Sequence, residues 1–141
     1  MGQKSSKLYV GLDVHKESID ITIAEEGGEV RHHGQIGGDA NALWRAVRKF
    51  ESSGRKLMFV YEAGPCGFGI YRGLMKRGHV CWVVAPSNTP RRVRDRVKTD
   101  RRDSLRLAGL AGAGELTPRS MCLTCAMRRC AIWCEAAKMR W

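Results

Sequence analysis

The chain has 141 residues, enough for one domain with its own core and too few for two of ordinary size. Hydrophobic residues make up 43%, an ordinary globular share, but 25 Lys and Arg against 14 Asp and Glu leave a formal net charge of +11. Such an excess points to a polyanionic partner, because each cation that neutralises a phosphate releases a condensed counterion, and no stretch is apolar and long enough to span a membrane.

The opening MGQKSSKLYV lacks the apolar core of a signal peptide, and its MGQKSS fits the short myristoylation pattern by coincidence. A cytoplasmic, reducing setting is therefore expected, where disulfides are rare. Residues 8–14, LYVGLDV, form an apolar run broken at Asp13 and predict a buried strand. ESIDITIAEE (17–26) alternates Ile19, Ile21 and Ile23 with polar neighbours, the period of two that marks a strand. Gly27 and Gly28 turn the chain into EVRHHGQI, a third strand of a meander. Asp39 is placed to N-cap a helix with Leu43, Trp44, Val47 and Phe50 on one face, closed by Gly54.

KLMFVYEAG (56–64) is another short apolar run, ending in Glu62, with Gly64 and Pro65 as a sharp turn. GFGIYRGLMKRGH predicts a short helix, and HVCWVVAP (79–86) a buried strand stopped by Pro86. Composition then changes: residues 89–106, TPRRVRDRVKTDRRDSLR, hold eight basic and three acidic residues. SLRLAGLAGAGEL follows as a helix loosened by Gly109, Gly112 and Gly114. The order β-β-β-α-β-α-β, then a basic segment and a helix, predicts a mixed α/β domain.

Acids stand where chemistry could be assembled. Asp13 ends the first strand and Glu62 the fourth, while Asp100 and Asp103 lie three apart at the last helix, on one side of a turn. By pattern alone, strands end in acids because loops are wet, and Asp100 and Asp103 pair with neighbouring arginines. What tips the balance is that this second pair lies inside the most basic stretch of the chain. Converging carboxylates suit Mg²⁺ or Mn²⁺, and flanking arginines suit phosphates, the combination that metal-assisted phosphodiester cleavage needs.

Three stretches, YVGLDVHKESIDITIAE, VYEAGPCGFGIYRGL and VKTDRRDSLRLAGLAGAGELTP, resemble the N-terminal domain of bacterial DEDD-type insertion-sequence transposases. The resemblance runs over residues 8–118 in unbroken order, and the K-T-D-x-x-D-S/A block is its most specific part. It implies a RuvC-like domain with a ribonuclease-H-like mixed sheet and flanking helices. It also implies that Asp13, Glu62, Asp100 and Asp103 are the catalytic acids and hold Mg²⁺ (or Mn²⁺). The implied partners are DNA, a guide RNA that helps choose it, and further copies of the chain. In the family a separate C-terminal domain supplies a serine nucleophile, and no residue of this sequence matches it. The expected activity is DNA transposition and recombination. The alternatives are a non-catalytic basic nucleic-acid-binding remnant and a RuvC-like structure-specific nuclease.

Other residues divide between support and structure. His15 and Lys16 follow Asp13 as in the family motif and are expected to support the site. Arg91, Arg92, Arg94, Arg96, Lys98, Arg101 and Arg102 are expected to grip nucleic acid. His32, His33 and His79 are scattered and are expected to be exposed or structural, and Trp44 and Trp82 to be core. An actin-like ATPase would need glycine-rich phosphate loops, and Gly64, Gly67 and Gly69 form none.

The last stretch, with Cys122, Cys125, Cys130 and Cys134, has C-x2-C-x4-C-x3-C spacing. The four-residue middle gap leaves no room for the loop or hairpin that normally supports a structural zinc. A frameshift explains it better. Starting from the third codon base of Met121, with permitted wobble choices, the shifted frame spells VPDLRDAAMRDLVRGREDAL, an acidic amphipathic helix. It is similar to the way the family continues after its E-L-T-P. Residues 119–141 are therefore expected to be an out-of-frame, poorly ordered tail. The shift would lie near Pro118–Met121 and leave a truncated transposase, by programmed frameshifting or by decay of the gene.

Overall fold

Three extended segments, rich in β-branched residues, precede the first helix in the chain and pair with one another. In the computed structural model, which describes residues 7–27, 29–62, 69–84 and 100–114 (the backbone alone for 100–103), they are β1 (Lys7–Val14), β2 (Ser18–Glu25) and β3 (Val30–Gly37). They form the antiparallel meander expected from their sequences. The chain then crosses through α1 (Ala40–Glu51) to β4 (Lys56–Glu62), which lies parallel to β1. A second crossover through α2 (Gly69–Lys76) brings β5 (Val80–Val84) parallel to β4. The strand order is β3-β2-β1-β4-β5, with α3 (Asp100–Gly112) following. This mixed five-stranded sheet with flanking helices is the α/β, ribonuclease-H-like architecture expected.

The sheet buries both faces, and alternation assigns each residue to one. Leu8, Val10, Leu12, Ile19, Ile21, Leu57, Phe59, Tyr61, Cys81 and Val83 pack with Leu43, Val47 and Phe50 of α1 and Ile70 and Leu74 of α2. On the other face, Tyr9, Ala24, Val60 and Val84 meet Leu107, Ala108 and Ala111 of α3. Asp39 caps α1 by accepting a hydrogen bond from the Ala42 amide at 2.9 Å. At Gly54 the backbone adopts φ +69°, a left-handed conformation that lets the chain turn from α1 into β4.

Two expectations need correction. Trp44 and Trp82 are half-buried rather than core. Trp44 lies between the helices, so close to Gly73 that a Cβ there would come within 2.5 Å of its ring, and the Arg77 guanidinium sits 4.4 Å from the ring centroid. Trp82 lies on the α3 side, tilted against Tyr9 at 6.5 Å. The last helix begins at Asp100, four residues ahead of the start expected at Ser104. Charged residues in its first turn do not stop a helix, because arginine is a good helix former and acids favour the N-terminal end of the dipole.

Candidate functional site

Register brings the first two acids together. The parallel pairing of β1 with β4 runs through Gly11↔Val60 and Leu12↔Tyr61, so Asp13 and Glu62, each one residue further, stand side by side at the strand ends. Parity sends Asp13 to the same face as Tyr9 and Gly11, the face that α3 covers. Both acids are half-buried, Asp13 with 17% of its side chain exposed.

Helix α3 delivers its acidic first turn to the same end. Its last turn lies near the start of β1, since Gly112 approaches Tyr9, Ala24 and the Glu25 carbonyl. Four to eight residues earlier, Ser104 and Ala108 lie against Gly11. A Cβ on Gly11 would sit 2.7 Å from the Ser104 carbonyl oxygen and 2.8 Å from the Ala108 nitrogen, so only glycine lets the helix backbone lie directly on the strand. Asp100, four residues before Ser104, lies about 6 Å further along the helix axis. Gly11 to Asp13 is about 7 Å along the strand, so the helix start reaches the level of Asp13.

A buried polar chain holds that helix in place, and sequence reasoning missed it. Asp20, paired with Asp13 across β1 and β2, is 5% exposed and accepts a hydrogen bond from His32 Nε2. The Ser104 hydroxyl donates to Asp20 Oδ1 at 3.5 Å, which leaves the Thr22 hydroxyl to donate to Ser104 at 2.8 Å. Thr22 and Ser104 are fully buried, so these bonds replace water that neither group can reach. The signal was present in ESIDITIAEE: its polar positions share the face of Gly11, and all are small enough to meet a helix rich in Ser, Ala and Gly. Alternation marks the strand but does not show that its polar side is packed as well. His32 is thus structural, as expected, but as the partner of a buried carboxylate.

The remaining expected residues fall as follows. His15 Nε2 lies 3.1 Å from Asp13 Oδ2, so the histidine touches the acid it was expected to support. Lys16 is exposed in the turn after β1. Asp100, Arg101, Arg102 and Asp103 all lie in the first turn of α3. Arg91, Arg92, Arg94, Arg96, Lys98 and the four tail cysteines lie outside the described residues, as does the Gly64-Pro65 turn. His79 pairs with Glu51 at 2.6 Å, and His33 is exposed with its ring edge-on to Phe50 at 4.8 Å. Burial pushes the Cys81 thiol well above its ordinary range, so it stays protonated in the core.

Among the described residues no three His, Cys, Asp or Glu side chains form a ligating group. Asp13 and Glu62 are the described pair, and the other two acids belong to the helix turn brought over them. Carboxylate oxygens are the donors that a hard divalent cation takes, so residues of this type would fit such an ion and not a thiolate-seeking one. Among the described residues no helix is long and apolar enough to cross a membrane.

Comparison with known proteins gives the family. The family model of the IS110-type DEDD transposases matches residues 10–121. A putative transposase, y4qE, of Sinorhizobium fredii is 47% identical over 111 residues, 77% of this chain and 28% of its own length. The transposase for insertion sequence element IS1533 of Leptospira borgpetersenii is 36% identical over 105 residues, 74% of this chain and 30% of its own. The chain thus spans less than a third of the length of these curated relatives.

Proposed function

Because this chain belongs to the IS110-type DEDD transposases, we propose that it is the RuvC-like metal-binding and DNA-binding domain of a transposase acting in DNA transposition and recombination. The observation that carries this reading is the adjacency of Asp13 and Glu62 at the ends of parallel neighbours, on the face where α3 brings Asp100 and Asp103. In this reading the four carboxylates hold Mg²⁺ or Mn²⁺. Such an ion, when bound, polarises a phosphate oxygen and lowers the cost of charge on the leaving oxygen.

The chain's own residues have separate tasks. The carboxylates would hold the cation and so set where the phosphodiester meets it, since on their own they repel phosphate. His15 restrains Asp13 through their hydrogen bond. Arg91, Arg92, Arg94, Arg96, Lys98, Arg101 and Arg102 neutralise the backbone that leads to the acids. A guide RNA and assembly with further copies belong to the same reading, as does the serine supplied from elsewhere in a full-length relative. The family match ends at residue 121, within the span where the shifted frame begins, which supports reading 119–141 as out of frame. Sequencing the locus tests that part: a long coherent second frame after Pro118 is expected, and its absence overturns it.

The functional test is Mn²⁺ titration by calorimetry, with duplex DNA binding followed in parallel. Asp13→Ala and Asp103→Ala are each expected to weaken Mn²⁺ binding more than tenfold while leaving the fold intact. Unchanged Mn²⁺ binding in both variants would replace this reading with the non-catalytic nucleic-acid-binding remnant.

A further inference from the structure

A cationic feature lies on the α1 side of the sheet, the face opposite the one that α3 covers. Between the edge strand β3 and helix α1 is a groove of 410 Å³ lined by His33, Ile36, Gly37, Ala42, Arg45, Ala46 and Lys49. Arg45, Arg48 and Lys49 are exposed at helical spacing on α1. Among the described residues, neither Arg45 nor Lys49 has an ion-pair partner.

The position of the groove gives it meaning. Ile36 and Gly37 pair with Ile19 and Ser18, and Ile19 pairs with Val14, so the groove opens at the end of the sheet where Asp13 lies. Two strand spacings, about 10 Å, separate β1 from β3. The surface between is continuous. Gly38 packs onto the turn after β1, its amide donating to the Glu17 carbonyl at 3.0 Å, and a Cβ there would meet the Lys16 carbonyl at 2.5 Å. A path therefore leads from Asp13 and His15, past exposed Lys16, to Arg45 and Lys49.

We infer that this groove, reached past Lys16, holds the phosphate backbone of duplex DNA flanking the acidic end, so that one duplex is gripped from both faces of the sheet. The inference rests on the DNA-binding reading above. One turn of a duplex is about 34 Å long, so DNA engaged at the acids covers the distance to the groove. The groove offers cations, and the one ring in its lining, His33, is packed edge-to-face against Phe50 rather than presented as a stacking platform. Bases of a single strand would need such a platform. A second copy adding a strand is disfavoured, because the register shift at Ile21/Thr22 and the φ of +139° at Gly34 make this edge irregular.

His33 supplies an independent reporter. Its pKa is lowered, first by burial, then by Lys49 and by His32, with Arg45 the other cation lining its groove. A phosphate placed there offsets those cations and raises the imidazole pKa.

The test uses the whole chain and a 5′-labelled duplex DNA of about 20 base pairs, two turns of helix, with binding followed by anisotropy across salt concentrations. R45Q/K49Q is expected to weaken binding about tenfold and to reduce the slope of log K against log salt by about 2. K56Q/K76Q removes the same charge at the other end of the sheet and is expected to change the slope far less. NMR titration is expected to show the His33 pKa rising on DNA addition. If R91Q/R92Q weakens binding while R45Q/K49Q changes neither slope nor affinity, the inference falls and the DNA-binding reading stands. If wild type binds no DNA, both fall. A groove effect seen with duplex RNA but not duplex DNA also overturns the inference.

Discussion

The two faces of the sheet are packed on different principles. Under α1 and α2, large side chains interdigitate: Leu12, Ile19, Ile21, Phe59 and Tyr61 are all at most 1% exposed, and the helices stand off on Leu43, Val47, Phe50, Ile70 and Leu74. Under α3, Tyr9, Val60, Val84 and Leu107 also pack, but over β1 and β2 the contact is small against small, with Gly11, Thr22 and Ala24 meeting Ser104, Ala108 and Gly112 nearly backbone to backbone. The first arrangement maximises apolar area removed from water. The second gives up area for close, directional contact, which fixes where the acidic first turn of α3 lies. Stability and site geometry are therefore carried largely by opposite faces.

That division can be broken by mutation. Phe59→Ala, in the large-residue layer, should cost about 3–5 kcal/mol in urea unfolding, with Mn²⁺ affinity of the folded fraction preserved. Gly11→Val should cost about 1–3 kcal/mol by forcing α3 off the strand, yet reduce Mn²⁺ affinity more than Phe59→Ala does. If Gly11→Val loses only stability, the helix does not set the site. Thr22→Val and Ser104→Ala should each cost about 1–3 kcal/mol, because each leaves a buried hydroxyl short of a partner. The double variant should cost less than their sum, and strict additivity would show that the two hydroxyls act separately. Asp39→Ala removes a cap on the other face and should cost about 1 kcal/mol with no effect on metal.

The smallest effect is one of pH. In the unfolded chain an imidazole titrates near about 6.5, whereas folding lowers the pKa of His33, mainly through burial and then through Lys49 and His32. Folding thus favours the neutral ring. Its contribution is complete above the unfolded pKa and is lost as pH falls through it toward the folded value. Stability curves between pH 7 and 5 should show a component that His33→Gln removes, and an identical slope in the variant would assign it elsewhere.

Much of the fold was legible because it is local. Ile19, Ile21 and Ile23 alternate, Asp39 caps, and β-branched runs end at acids, each a property of neighbouring residues. The resemblance of the K-T-D-x-x-D-S block singled out Asp100 and Asp103, and strand ends singled out Asp13 and Glu62. Parallel pairing of β1 with β4 joins residues almost fifty positions apart, and nothing in either segment specifies that register. Trp44 reads as core by type, yet Gly73 and Arg77 hold it half-exposed between two helices. Asp20 is plainer still. Its polarity and period fit a wet face, and only the arrival of α3, more than eighty residues later, makes it a buried carboxylate held by His32 and Ser104. Backbone preference and hydrophobic period act over a few residues and could be read in order. The burial of a charge depends on what lands on it, and that is decided only when distant elements pack.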